Sequence, residues 1–310
     1  MTKSSFIIII PTLNAVKSVV GFAENIKILM NCGHDVLIVD SSSTDGTAEL
    51  VKKLGAKLIT IPRSEFNHGA TRELARKESE TDIVVFLTQD VKIVSEDFIE
   101  KLIEPLVQEQ DIVVSYARQI PFDGADIFES FPREFNYPDD SQVRSIEDVK
   151  KYGIYTFFCS NSCAAYRNSA LNEIEGFDTV IHSEDYFAVA KLLSKGYKIA
   201  YVAESIVKHS HKYSLIEGFK RNFDIGYVRA QHPDIQKIAG QAESRGRIFA
   251  KSLLLLLIKN HQIHLVPYAI VQSATKWLGY RIGYYGHYLP VFIRKMLSGQ
   301  LYYWSSKYRS

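Results

Sequence analysis

Cysteine is scarce in this 310-residue chain: Cys32, Cys159 and Cys163 are its only three. An odd, small number of thiols cannot build a disulfide framework, and their spacing lacks the second pair that a structural zinc site needs. Long apolar runs are missing as well. Towards the C-terminus the longest covers residues 253–258, far short of the ~20 residues that span a bilayer, so the chain is expected not to cross one. No charged, apolar, small-residue leader opens the sequence; residues 6–10 form a short apolar run that fits a buried first strand, and the expected location is cytoplasmic. No Gly-x-Gly-x-x-Gly follows either early apolar run, which removes the feature that lays a dinucleotide pyrophosphate on a helix end. Internal repeats and low-complexity tracts are absent too.

What is present is an ordinary globular balance, 46% hydrophobic and 23% charged, with its charge unevenly placed. Residues 1–204 carry 21 Lys and Arg against 31 Asp and Glu, whereas residues 205–310 carry 16 against 4. After Glu243 there is no carboxylate side chain, while ten Lys or Arg, both tryptophans and eight tyrosines fall in the last 67 residues. Such a tail favours an anionic surface. Nucleic acid is not the expected partner: the first two thirds are acidic, and the tail lacks a nucleic-acid motif.

Short β-rich runs at 6–10, 36–39, 57–61, 83–87, 112–116 and 198–202 alternate with helical patterns such as Val19, Val20, Ala23, Ile26 and Met30. That alternation predicts an α/β fold, a mostly parallel sheet covered by helices. Residues 122–155 lose periodicity and collect Pro121, Gly124, Pro132 and Pro138 around them, which reads as a long loop or acceptor-side lid. From Ser244 onward the pattern is helical and amphipathic. It predicts a C-terminal helical appendage that lies on a membrane, packs on the sheet, or forms a homodimer contact.

In open parallel sheets ligands bind beyond the carboxyl ends of the strands. The residues there are unusually polar: Pro11-Thr12-Leu13-Asn14, then Asp40-Ser41-Ser42-Ser43-Thr44-Asp45-Gly46, then Thr88-Gln89-Asp90. Asp40, an acid, suits a donor such as a pyrimidine N–H or a ribose hydroxyl and not a phosphate. The alternative is a strand-to-helix turn capped by Thr44 or Asp45. Residues 66–69, Phe-Asn-His-Gly, precede a helical pattern carrying Arg72, so backbone N–H groups and a cation could face a diphosphate; a capped loop with Arg72 in a surface ion pair is the competing account.

These motifs together resemble glycosyltransferase family 2, whose catalytic domain has the GT-A fold, over residues 6–211. A narrower resemblance, carried by residues 61–73 and 86–91, is to the rhamnosyltransferase branch, which uses dTDP-L-rhamnose. The resemblance implies donor contacts from Pro11, Thr12, Asn14, Asp40, Ser42, Asp45, Arg63, Phe66, Asn67, His68, Gly69, Arg72, Gln89 and Asp90. The family's strand-end motif has two acids flanking one residue; here Thr88 stands in the first position, leaving Asp90 as the carboxylate ligand of a Mn²⁺ or Mg²⁺ ion. The matching downstream segment, residues 207–211, supplies His209 as a second ligand, with His209 or His211 as a phosphate or loop contact the alternative.

Ser183-Glu184-Asp185 resembles the family's Glu-Asp pair, implying Asp185 as catalytic base and Glu184 as its support. Neighbours on a helix point ~100° apart, so one can face an acceptor while the other orients it; simple capping by Ser183 is the alternative. Asn161 and Ser162, just before that pair, are candidates to hold acceptor hydroxyls. The expected organisation is a catalytic domain over 1–212, with a nucleotide-sugar half to about 118 and an acceptor half from 119, and a helical region over 213–310. The expected function is inverting transfer of L-rhamnose to a lipid-linked or membrane-proximal polysaccharide by a peripheral protein at the inner face of the cell membrane. A family 2 transferase for another sugar, or a non-catalytic glycan-assembly module, are the alternatives.

Overall fold

The computed structural model describes residues 4–240 and 242–309. Nine strands form one sheet: β1 (Phe6–Thr12), β2 (Val36–Asp40), β3 (Lys57–Thr60), β4 (Ile83–Leu87), β5 (Lys92–Ile93), β6 (Ile112–Ile120), β7 (Gln142–Arg144), β8 (Cys163–Arg167) and β9 (Lys198–Lys208). Their order is β3-β2-β1-β4-β8-β6-β9-β5, with β7 paired to β9. Strands β1 to β4 run parallel, β8 reverses between β4 and β6, and β6 and β9 run parallel again. Six of the nine strands therefore point one way, as the alternating pattern predicts.

The side-chain period of two explains why the isoleucine run of β1 is a strand buried on both faces. Ile7 and Ile9 join the core beneath helix Glu184–Ser194, while Ile8 and Ile10 join the opposite core beneath helices Phe22–Asn31 and Phe98–Gln108. Strand β8 was not among the predicted strands. Its alanines pair with Phe86 and Val85 on one side and with Tyr116 and Ser115 on the other, small residues admitted between bulky neighbours.

The expected long loop at 122–155 is instead built from short elements. Asp126 caps helix Ile127–Asn136 by accepting from the N–H groups of Phe128 (2.9 Å) and Glu129 (3.1 Å). Phe131 of that helix packs on Phe249, Leu253 and Leu257 from the C-terminal region. Arg144 is fully buried, donating to the Tyr116 hydroxyl (2.8 Å), the Phe158 carbonyl (2.7 Å) and the Tyr155 carbonyl. Composition hid these elements because long-range partners hold them.

Helix Leu215–Ala230 begins with a Ser214–Glu217 capping box and lies against helix Val266–Tyr284. Glycines set the closeness of that contact: a methyl on Gly226, Gly279 or Gly283 would collide with the backbone carbonyl of Tyr280, Phe219 or Phe223. Tyr303 and Trp304 then return the chain to the main core, the indole meeting Tyr227 at 5.1 Å. Among the described residues no helix is long and apolar enough to cross a membrane.

Candidate active site

The carboxyl ends of β1, β2, β4 and β9 and the amino end of β8 open on the same edge of the sheet. The loops there are tied to one another. Asp40 is buried, its carboxylate accepting from the Ser43 N–H (2.9 Å), the Ser43 hydroxyl and the Thr12 hydroxyl (3.4 Å). Asn14, in a left-handed conformation, accepts from the Thr44 N–H at 2.9 Å and donates its own N–H to Ser43 at 2.8 Å. Ser42, also left-handed, donates to the Ile61 carbonyl (2.8 Å). Pro11 lies within β1 beside Val39.

Several residues expected to touch the donor are consumed by structure. Asp45 accepts from the Lys17 N–H and from both the N–H and hydroxyl of Thr47, the first residue of helix Thr47–Leu54, whose N-cap is Gly46. The Gln89 amide is clipped to the backbone of Leu13, accepting at 2.8 Å and donating at 3.2 Å. Asn67 is buried; it caps helix His68–Lys77 through Gly69 and Ala70 and donates to the Val180 carbonyl (3.0 Å). Gly69 is pressed against the Asp178 carbonyl, where a methyl would not fit. Arg72, expected at the diphosphate, is instead 3% exposed and donates to Glu184 at 2.8 Å. A cation so enclosed answers a buried carboxylate, not a solvent-side ligand. Arg63 remains exposed, its guanidinium 5.0 Å from both the Phe66 and Tyr302 rings; Phe66 meets His68 at 5.0 Å.

The second cluster is the Glu-Asp pair at the start of helix Glu184–Ser194. Ser183 sits left-handed and its side chain does not cap, which removes the capping account. Glu184 is buried, held by Arg72 and by the Asn161 amide (3.1 Å); burial works to raise its pKa, but Arg72 and then His68 outweigh it and keep the carboxyl ionised. Asp185 is less buried, accepting from the Asn161 N–H at 3.1 Å and the Tyr186 N–H at 2.8 Å. Burial, reinforced by the charge of Glu184, pushes Asp185 up to about 7. Asn161, expected to hold an acceptor, is thus used to fix both carboxylates, and Tyr166 donates to its side-chain oxygen (2.8 Å). Ser162 accepts from the Thr88 N–H through its carbonyl, bringing β4 and β8 ends together.

The third cluster is Asp90, His209 and His211, whose ligand atoms lie within 4.8 Å of one another. Each imidazole Nε2 is 3.4 Å from one Asp90 oxygen, and the two Nε2 atoms are 3.1 Å apart. His209 Nδ1 meets Gln119 Oε1 at 2.9 Å. That oxygen also accepts from Arg133 (2.6 Å), and the Gln119 amide nitrogen donates to Ser160 (2.9 Å), which fixes the amide's orientation. His209 therefore donates its Nδ1 proton to Gln119, which turns Nε2 into the cluster, as a metal-binding histidine requires. Burial works to raise Asp90, but hydrogen bonding and charge from His209, then charge from His211, hold its carboxyl well below the usual range. His211 is pushed down to about 4 by burial, then by the charge of His209. Two imidazole Nε2 atoms beside a carboxylate form a donor set that fits a divalent cation.

His211 enters this group beside the expected His209 because alternate residues leaving β9 share a face. Gln119, Arg133 and Tyr302 escaped the sequence reading. A polar residue near the end of an apolar strand was the signal for Gln119; nothing local marked the other two.

Comparison with known proteins shows the family and the fold. Residues 7–175 match the profile of glycosyl transferase family 2. The chain is 37% identical over 306 residues to the O-antigen chain rhamnosyltransferase RfbN of Salmonella typhimurium (strain LT2), covering 96% of each chain. It is 36% identical over 310 residues to the O-antigen chain rhamnosyltransferase WbaN of Salmonella anatum, covering 97% of this chain and 96% of that one. In fold it is similar to the mannosyltransferase PcManGT of Pyrobaculum calidifontis, solved with GDP-Man and Mn²⁺, at a TM-score of 0.59 and 15% identity over 89% of this chain and 87% of that one. It is likewise similar to glucosyl-3-phosphoglycerate synthase of Mycobacterium tuberculosis, solved with Mg²⁺ and UDP, at 0.51 and 15% over 76% and 80%. With a GT-A-like sheet, a family profile spanning more than half its length and near full-length kinship to two rhamnosyltransferases, this chain belongs to glycosyltransferase family 2 and is a glycosyltransferase.

Proposed function

We propose that the protein transfers L-rhamnose from dTDP-L-rhamnose to a lipid-linked O-antigen or related surface polysaccharide, with inversion at the anomeric carbon. The observation that carries the reading is the near full-length similarity to two O-antigen rhamnosyltransferases, together with a carboxylate pair and a metal-type cluster on one sheet edge. Residues 1–212 form the catalytic domain in this reading, and 213–310 the helical region that brings it to its acceptor.

The nucleoside lies along the loops after β1 and β2, where Thr12, Asp40 and Ser42 stand, with Arg63, Phe66 and His68 as the wall beyond β3. Asp90, His209 and His211 would hold Mn²⁺ or Mg²⁺. When bound, the ion supplies positive charge to the departing diphosphate. Asp185 takes the proton from the acceptor hydroxyl as its oxygen attacks the anomeric carbon; the bond from that carbon to the diphosphate breaks and dTDP leaves. Glu184, locked by Arg72 and Asn161, keeps a fixed negative charge beside Asp185 and so raises the basicity of the one carboxylate able to accept that proton.

The apolar outer stripe of helix Val266–Tyr284, with Ile270, Val271, Trp277 and Leu278 about half exposed, supports docking on the inner face of the cell membrane. Exposed Arg247, Lys251 and Lys259 on the preceding helix supply the cations for an anionic leaflet.

The test is nucleotide release from a panel of nucleotide sugars, with Mn²⁺ and a lipid-linked glycan fraction as acceptor. Release from dTDP-rhamnose, abolished by chelator, is expected. Release from a different donor would overturn the rhamnose assignment, and undiminished release in chelator would discard the metal role of Asp90, His209 and His211.

A further inference from the structure

We propose that Arg221, on helix Leu215–Ala230 of the C-terminal region, is a binding residue for the diphosphate of the nucleotide, a fixed cation that complements the Asp90 cluster from across the cleft. The inference rests on the nucleotide-sugar reading above but not on the identity of base or sugar.

Arg221 is exposed, and its guanidinium lies 5.7 Å from the Tyr213 ring centroid. Tyr213 in turn meets His211 in a tilted ring contact at 5.5 Å, and His211 Nε2 is 3.4 Å from Asp90. The guanidinium is therefore held by an aromatic relay leading to the metal-type cluster. Among the described residues no carboxylate pairs with it. Asp224, the acid one turn along the same helix, is buried and accepts from the Gly299 N–H at 2.9 Å.

The charge of Arg221 acts on Asp224, lowering a carboxyl that burial pushes up to about 7; the other groups that respond to it are cationic or neutral. Lys276, from helix Val266–Tyr284, is pushed down to about 8 by burial and then by the charge of Arg221; its amine has Gln272 at 3.1 Å as its partner. The same charge acts on His68 and His182, the latter lying three residues before Asp185. A guanidinium that makes no ion pair among the described residues and is joined through Tyr213 to the metal-type cluster is a preorganised anion site. A diphosphate fits because a metal at Asp90 leaves part of its charge to be answered by hydrogen-bond donors.

The experiment uses the full chain with Mn²⁺ and measures binding of dTDP and dTMP, UDP and UMP, and GDP and GMP by calorimetry. For whichever base the wild type binds best, Arg221→Gln is expected to weaken the diphosphate about tenfold and the monophosphate less than twofold, with Arg221→Lys in between. The melting temperature should stay nearly unchanged, because the side chain is exposed and makes no salt bridge among the described residues. Equal loss for both nucleotides, or no loss for the diphosphate, would overturn the proposal. The same pattern on UDP or GDP in place of dTDP would sink the dTDP reading and leave Arg221 standing. Failure of the wild type to bind any nucleoside diphosphate would overturn both.

Discussion

Asp185 and Glu184 are chemically alike and adjacent in sequence, yet they end in different states because one has a guanidinium and the other does not. Glu184 is paired with Arg72; Asp185 has only two backbone N–H donors against burial and a neighbouring negative charge. A carboxyl with a pKa of about 7 is matched to accepting a proton at neutral pH. Because the base must be ionised, turnover should rise with pH, gaining about tenfold per unit below 7 and levelling above it. Asp185→Asn should lower kcat at least about a hundredfold while leaving nucleoside diphosphate affinity within twofold. Near-normal kcat in a steady-state assay, or a profile flat between pH 5 and 8, would remove Asp185 from that role. The residue types at this site were legible from the sequence, but their partners were not. Arg72 looked like a diphosphate ligand because a cation at a helix start ordinarily faces an anion, and only folding showed that its anion is Glu184, 112 positions away.

At the scale of elements, the six longer or more apolar strands were legible from hydrophobic runs of the right length between helical patterns. Strands β5, β7 and β8 were not, being too short or too poor in bulky residues to stand out. The C-terminal helices were legible in period but not in partner. Helices Leu215–Ala230 and Val266–Tyr284 approach closely because Gly226, Gly279 and Gly283 leave room for backbone carbonyls. In an isolated helix, replacing glycine with alanine adds about 1 kcal/mol of stability. At Gly283 the sign should reverse: a methyl there meets the Phe223 carbonyl, and Gly283→Ala should destabilise by about 1–3 kcal/mol. Chemical denaturation of the variant checks this, and an unchanged or raised midpoint would show that the two helices can part without cost.

Over the whole molecule, the charge asymmetry becomes a spatial one. Beyond the apolar stripe of helix Val266–Tyr284, Tyr288, Phe292 and Met296 are 77%, 72% and 62% exposed, so the C-terminal region presents apolar side chains to its surface. With the basic residues nearby it should bind anionic lipid. Ile270→Glu with Trp277→Glu should abolish sedimentation with phosphatidylglycerol vesicles while leaving the melting temperature intact, since both side chains are more than half exposed. Retained sedimentation would defeat the membrane assignment, and a fall from dimeric to monomeric mass in light scattering would identify a homodimer face instead. Sequence by itself determined the alternating α/β order, the polar strand ends and the basic, aromatic tail, because each is written in local period and composition. Tertiary structure alone decided that Arg72 belongs to Glu184, that Asn161 fixes the carboxylates, that His211 joins Asp90 and His209, and that Tyr302 returns to Arg63 and Phe66. Those pairings join residues far apart along the chain, and their energies exist only once the sheet has placed its strand ends on one edge.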